Sequence, residues 1–492
     1  MPVDPIPAAT DLELSGEQFA DLIGEVTARL REHIDSLPDQ PSWNTEHFEQ
    51  VVDSYDLEIG RGERSFTELM DYLFETAIPC SFNTASPGYL AYIPAGGLLQ
   101  SAAADLISTA TNRYMGVWAA APLLANIEQA VIRWFCQLFG LPDSSGGILT
   151  SGGSLANWTA MVAARTRLLG EEFLDGVLYC SDQAHHCVEK AARLCGIKRA
   201  NVKLIGTDDQ FRMDVAQLEA EIEKDKAAGL RPFFVAANAG STNSGAVDPL
   251  EELAQVCQES GIWLHVDAAY GGFFVMTERG RRTLKGIDQA DSIVIDPHKS
   301  LFLPYGTGAL VVRSVKDLSD ANRIDADYMP DYQDDQDKTD FHEISPELSR
   351  EFRGLRVWLP LQMHGAQAFE DNLNEKLDLT DWIYERLKNL NSPRSSVEIV
   401  AEPQLSIFAF RVRFQCDDHL LDDWNRELMK RVNARKRVYL TGTLLNGQFV
   451  IRICVLSFRT HLDRIKECYA AIVEEIGDIE KILLQQRQGT VS

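Results

Sequence analysis

Apolar positions along the chain follow two rhythms, one helical and one alternating with short unbroken runs. From Asp11 to Ser36 they fall at helical spacing, with Ser15 three residues before Gln18 as a capping pair, and Leu37-Pro38-Asp39-Gln40-Pro41 breaks the element. A second helical stretch runs from Ser65 to Ala77 and ends at Pro79. Between Ser86 and Ala95 apolar and aromatic residues are interrupted by prolines without a period, which predicts a folded loop of the kind that lines pockets. A helix is predicted over residues 127–139. From Gly147 onward, predicted strands at 177–182, 202–207, 233–237 and 262–267 alternate with helices after His185 and at 215–226 and 250–259. That alternation predicts βαβ units and a mainly parallel sheet covered by helices on both faces.

Past Trp358-Leu359-Pro360 the rhythm becomes a long helix, then strands at 397–400 and 407–413, a helix from about Leu420, an apolar run at 438–441, and a strand at 449–455 before a last helix. A chain of 492 residues exceeds the roughly 250–300 residues at which one core stops growing. We therefore expect a helical arm over residues 1–85, a large α/β domain over 86–357 and a small α+β domain over 358–492. An arm of two or three helices cannot bury its own apolar stripes and needs a surface to pack on.

Composition narrows the partners. The net charge of −26 argues against nucleic acid, whose phosphates call for clustered Lys and Arg. Nine cysteines without a Cys-x-x-Cys pair suit free thiols in a reducing cytosol, and neither a disulfide framework nor a metal site is expected. His185-His186-Cys187 offers no third or fourth metal ligand at suitable spacing. No apolar run reaches the ~18–20 residues that span a bilayer, and Met1-Pro2-Val3-Asp4-Pro5 lacks the basic and apolar regions of a leader. The expected location is cytoplasmic.

Candidate chemistry lies at strand ends. Ser292-Ile293-Val294-Ile295 reads as a buried strand stopped by Pro297, which places Lys299 just past its end, beside His298 and before the Gly-rich Leu303-Pro304-Tyr305-Gly306-Thr307-Gly308. A desolvated, partly neutral lysine there could attack an aldehyde and form a Schiff base with pyridoxal phosphate (PLP); a surface lysine after a strand is the alternative. Upstream, Trp263-Leu264-His265-Val266 is a strand ending in Asp267. A carboxylate under a pyridine nitrogen keeps the ring protonated and electron-withdrawing, whereas a turn-capping aspartate is the simpler role. In Gly147-Ile148-Leu149-Thr150-Ser151-Gly152-Gly153-Ser154 a strand meets two glycines and a serine opening a helix, a geometry that presents free N–H groups to a phosphate.

Three ordered motifs, Ser181-Asp182-Gln183-Ala184-His185, His265-Val266-Asp267-Ala268-Ala269-Tyr270 and Asp296-Pro297-His298-Lys299, resemble those of the PLP-dependent group II amino acid decarboxylases, the family of aromatic amino acid, histidine, tyrosine, glutamate and cysteine-sulfinate decarboxylases. The likeness runs in register from about Phe66 to Ile476, with Arg353-Gly354-Leu355 and Phe449-Val450-Ile451-Arg452 as further landmarks. It implies the aspartate aminotransferase-like fold type I and a homodimer with the arm on the partner and the active site at the interface. It also implies decarboxylation of an aromatic or acidic L-amino acid to the amine and carbon dioxide, with Lys299 carrying PLP as an internal aldimine. An aminotransferase or lyase on the same fold would use the same Lys and Asp.

By the same resemblance His185 lies on the cofactor ring and Ser241 beside it. Gly152, Gly153, Ser154, Asp267, Ala269, Asp296 and His298 surround the cofactor, and Tyr92, Pro94, Ala95, Arg113, Tyr114 and Arg452 face the substrate. For Arg452 the alternative is an edge-strand arginine in water. Two departures stand out. Asp296 replaces the asparagine of many relatives, setting a carboxylate near the phosphate. Counting back from Phe352-Arg353, the family's lid tyrosine falls on Phe341, in an acidic segment with Tyr328, Tyr332 and His342. That tyrosine is thought to return the proton to Cα, and its loss in plant relatives accompanies oxygen-dependent conversion to an aldehyde.

Overall fold

Seven strands form the central sheet of the computed structural model, which describes residues 12–489 except 47, 53, 54, 61 and 325–337. They are β1 (Gly146–Thr150), β2 (Gly176–Ser181), β3 (Val202–Ile205), β4 (Arg231–Asn238), β5 (Trp263–Asp267), β6 (Ser292–Ile295) and β7 (Gly308–Val312), in the order β1-β7-β6-β5-β4-β2-β3. Strands β3, β2, β4, β5 and β6 are mutually parallel. β7 runs antiparallel to both β6 and β1, so β1 points the same way as β6. The sheet is parallel apart from β7, a strand the apolar pattern alone did not reveal.

The inner strands feed two cores with alternate residues, because successive side chains leave opposite faces of a pleated strand. Val177, Tyr179, Val235, Leu264, Val266 and Ile293 enter one core. Leu178, Cys180, Phe234, Ala236, Trp263 and Val294 enter the other. Burial on both faces accounts for the unbroken apolar runs read in the sequence. The helix predicted over 127–139 begins earlier, at Pro122, and runs Pro122–Leu138, since proline's fixed φ suits the first helical turn. A helix at Leu99–Thr111 had no counterpart in the sequence reading.

The helix Gly354–Lys388 leads out of the sheet region and breaks at Gly365, whose φ of 74° is left-handed. Beyond it, β8 (Ser395–Ala401), β9 (Ile407–Phe414), β10 (Thr441–Leu445) and β11 (Gln448–Cys454) form an antiparallel sheet in the order β10-β11-β9-β8. It packs with the helices Leu421–Ala434 and Leu462–Gly489 around a third core. At the other end, the helix Gly16–Ser36 carries the anticipated capping box, with Gln18 N donating to Ser15 Oγ at 3.1 Å and Ser15 N to Gln18 Oε1 at 2.8 Å. Among the described residues no helix is long and apolar enough to cross a membrane.

Candidate active site

The carboxyl ends of β1, β2, β4, β5 and β6 lie on one edge of the sheet, where ligands of open α/β folds bind. The turns leaving those ends enclose a cavity of about 300 Å³ lined by Gly152, Gly153, Ser154, His185, Ser241, Asp267, Ala269, Asp296, His298 and Lys299. Ten residues from five separate stretches of sequence therefore meet at one place. Asn157, Cys187, Asn238 and Tyr270 complete the wall and were not foreseen as contributors.

Asp267 ends β5, level with Asn238 on β4 and Val294 on β6. Its Oδ1 accepts the Ala269 backbone N–H at 3.2 Å, and its Oδ2 accepts from Asn157 Nδ2 at 3.2 Å and from Cys187 Sγ at 3.8 Å. Burial, aided by the Asp267 charge, pushes the Cys187 thiol up, so Cys187 is a protonated donor here and not a nucleophile. Asp267 thus presents a buried, hydrogen-bonded carboxylate to the cavity.

Lys299 follows β6 on a single helical turn, Pro297–Ser300. Its Nζ lies 2.9 Å from Asp296 Oδ2, with the lysine side chain 24% exposed and the aspartate 2%. Burial works to lower the lysine's proton affinity, but the nearby Asp296 and Asp267 carboxylates outweigh it and hold Lys299 above the ordinary lysine value. This corrects the expectation of a partly neutral lysine: without an aldehyde present the ion pair keeps it an ammonium. His298 donates from Nδ1 to Thr307 O at 2.6 Å, and burial lowers its pKa, so the ring is neutral.

An amine must be uncharged to attack a carbonyl, so capture of the cofactor's aldehyde by Lys299 accelerates as pH rises. Asp296→Asn removes the nearest counter-charge and is expected to move that pH–rate profile to lower pH. Stopped-flow growth of the visible band after mixing with PLP measures this, and superimposable profiles would contradict the assigned ion pair.

The glycine turn fits a phosphate. Gly153 and Ser154 open the 17-residue helix Gly153–Leu169, whose first N–H groups have no partner within the helix. A Cβ on Gly153 would come 3.2 Å from Asp296 Oδ2, and one on Gly308 would come 2.5 Å from Gly152 Cα. Glycine is needed at 308 for the strand to pass so close. Asp296 Oδ1 is buried with no hydrogen-bond partner among the described residues, and as an anionic acceptor it works against a phosphate in this cradle, which the free N–H groups must outweigh. The site therefore fits a PLP-sized ligand held at its phosphate, aldehyde and ring-nitrogen ends.

His185 lines the cavity while the adjacent His186 is exposed. The His185 Nδ1 accepts the Cys187 backbone N–H at 3.3 Å, which places the neutral ring's proton on Nε2. Burial lowers its pKa, partly offset by the Asp267 carboxylate. Ser241 shares a hydrogen bond with Ser244, Oγ to Oγ 2.7 Å.

The anticipated substrate residues lie elsewhere. Tyr92, Pro94, Ala95, Arg113, Tyr114 and Arg452 are not on the wall of the Lys299 cavity. Tyr92 is 51% exposed and Tyr114 is exposed, with its hydroxyl donating to Leu348 O at 3.1 Å. Arg113 is exposed, and Pro94 and Ala95 are buried. Arg452 is no edge-strand residue: β11 is an inner strand, the side chain is buried, and Nη2 donates to Tyr92 O at 3.2 Å while Nε has no partner among the described residues. Phe341 is corrected most clearly. It is 1% exposed, under the Arg350 guanidinium at 4.6 Å from the ring centroid, because an aromatic ring gains more from apolar burial and a cation on its face than from a solvent-facing loop. Within this chain it does not reach the cavity. His342 is held on Gly116 O at 3.1 Å, and Tyr328 and Tyr332 lie outside the described residues.

Comparison with known proteins agrees with this geometry. The pyridoxal-dependent decarboxylase conserved domain matches residues 63–413, and the chain belongs to that family. It is 31% identical to the aromatic-L-amino-acid decarboxylase of Bacillus atrophaeus over 473 residues, 95% of this chain and 98% of that one. The structure of Oryza sativa TDC with PLP and tryptamine superposes with a TM-score of 0.90 at 26% identity, covering 96% of this chain and 100% of that one. Rhodiola rosea 4-hydroxyphenylacetaldehyde synthase superposes at 0.86 with 25% identity, covering 95% and 99%. The fold is type I of the PLP enzymes, and the chain is a PLP-dependent amino acid decarboxylase.

Proposed function

We propose that the protein decarboxylates an aromatic L-amino acid to its amine. The observation that carries this is one cavity holding the Lys299 amine, the Asp267 carboxylate and the glycine turn at the helix Gly153–Leu169; the curated relatives' aromatic substrates supply the side-chain class. Bound PLP supplies a ring that accepts the electron pair left at Cα when the carboxylate departs. Lys299 would hold the aldehyde carbon through Nζ, Asp267 would keep a proton on the ring nitrogen, and Gly153 and Ser154 would hold the phosphate through backbone N–H groups. His185, with its proton on Nε2, would shield the bound group from water.

A panel of aromatic and acidic L-amino acids, assayed for carbon dioxide, amine and keto acid, tests the reading. Amine and carbon dioxide in equal amounts from aromatic substrates are expected. Turnover restricted to glutamate or aspartate would reassign the substrate, and keto acid without carbon dioxide would replace decarboxylation by transamination. A second reading, oxygen-dependent formation of an aldehyde, rests on the likeness to an aldehyde synthase. Running the panel with and without oxygen, and measuring aldehyde, ammonia and peroxide, decides between them.

The working unit is proposed to be a homodimer in which residues 1–85 pack on the partner. The helix Gly16–Ser36 has no buried residue although it is amphipathic, and Phe19 and Leu30 on it are each 39% exposed. Ile107 on the helix Leu99–Thr111 is 51% exposed. Apolar surface on this scale calls for a cover. Sedimentation should give the mass of two chains, and a single-chain mass would remove the dimer.

A further inference from the structure

Behind Asp267 lies a chain of buried polar groups that runs along β5 to Ser292 at the start of β6. Asn157 Nδ2 donates to Gly153 O at 2.8 Å and to Asp267 Oδ2 at 3.2 Å. The opposite amide orientation would set Oδ1 against a carbonyl and a carboxylate, both acceptors, so the amide has one tenable orientation. Its Oδ1 then faces His265 Nε2 at 2.8 Å, and that nitrogen must carry the hydrogen. His265 Nδ1 is left to accept from Ser292 Oγ at 2.7 Å, and Ser292 Oγ in turn accepts the Trp263 Nε1–H at 2.7 Å. Trp263, Ser292, His265 and Asn157 are all at most 2% exposed. Burial lowers the His265 pKa to about 4, so the ring is neutral at physiological pH, as the single-proton chain requires.

Every donor and acceptor in this chain is thus set by its neighbour, and its last donor is delivered to Asp267. The same Asn157 amide also holds Gly153 O, in the phosphate cradle. One side chain ties together the two ends of the cofactor site.

We propose that Asn157, oriented by His265 and Ser292, is a positioning residue that fixes the Asp267 carboxylate where it would meet the cofactor's ring nitrogen and couples it to the phosphate cradle. A carboxylate that loses a hydrogen-bond donor becomes more basic. With PLP bound, the ring nitrogen would then hold its proton less firmly, and the ring would lose part of its electron-withdrawing power. Cys187 and the Ala269 N–H remain as donors in that event, so the effect is graded. The proposal rests on the PLP reading of the cavity.

The test uses PLP labelled with ¹⁵N in the ring, bound to the whole protein, with the nitrogen chemical shift reporting its protonation. The wild type should show a protonated ring. Asn157→Leu should move the shift toward the unprotonated value and weaken cofactor binding about tenfold, the scale of one hydrogen bond to a charged group. His265→Gln, whose amide can still donate to Asn157, should stay close to the wild type. If Asn157→Leu does not hold its fold by circular dichroism, Ser292→Ala at the remote end should give a smaller shift in the same direction. A wild-type shift and affinity in the folded variant would overturn the inference while leaving the PLP reading intact. Failure of the wild-type protein to bind labelled PLP would overturn that reading, and the inference with it.

Discussion

Lys299→Ala is expected to yield a folded protein that no longer shows the visible absorption band of covalently held PLP and has lost decarboxylation by a factor on the order of 10⁴ or more. The magnitude follows from removing the only lysine among the described residues of the cavity wall. No other residue there has an amine to hold the cofactor's aldehyde carbon in register with Asp267. The fold should survive, because Lys299 sits on a four-residue turn and its main partner is Asp296. Loss of the lysine leaves Asp296 buried without its counter-ion, which costs some stability. A melting temperature lowered by a few degrees, with unchanged circular dichroism, is compatible with the account. Retention of the visible band would place the covalent attachment elsewhere.

Asp267→Asn should retain cofactor but lose turnover by about 10²–10³-fold, the scale on which one preorganised electrostatic group acts. Asparagine has the shape of aspartate, and its carbonyl can still accept from Asn157 or the Ala269 N–H, so the cavity wall stays in place. What disappears is the negative charge. A neutral amide cannot hold a proton on the ring nitrogen, and the ring becomes a poorer electron sink. The loss should appear in kcat with little change in KM, since the substrate's own contacts are untouched. An equal loss in both would mean that Asp267 acts mainly in binding.

The parts of this site that could be read from the sequence are those in which local chemistry and chain position coincide. Lys299, Asp267 and the Gly152-Gly153-Ser154 turn each sit just past an apolar run, and strand ends in α/β folds are where ligands gather. Ser15 and Gln18 formed their capping box for the same reason: both partners lie within one turn. What escaped depends on contacts between distant segments. Asn157 lies 110 residues from Asp267 and 108 from His265, and nothing in the helical rhythm of residues 153–169 marks it. A polar residue on the buried side of that helix, facing another in the strand His265-Val266-Asp267, was the available signal.

The charge state of Lys299 was misjudged because burial was weighed without Asp296, whose distance from the amine is a tertiary property. Phe341 was placed by counting along an acidic segment. Its side chain answers to Arg350 and to the core beneath it, which no count along the chain can reveal. β7 escaped because Gly308-Ala309-Leu310-Val311-Val312 follows a glycine-rich turn and is too short to announce its direction.

The central claim is that Lys299 and Asp267 hold the two ends of one cofactor, with the lysine as its covalent anchor. Borohydride reduction of the PLP-loaded protein, followed by proteolysis and mass mapping, tests it directly. The account predicts one pyridoxyl phosphate group per chain, on Lys299, in the peptide carrying Asp296-Pro297-His298-Lys299. A label on any other lysine, or none on a protein with a visible band, would contradict it.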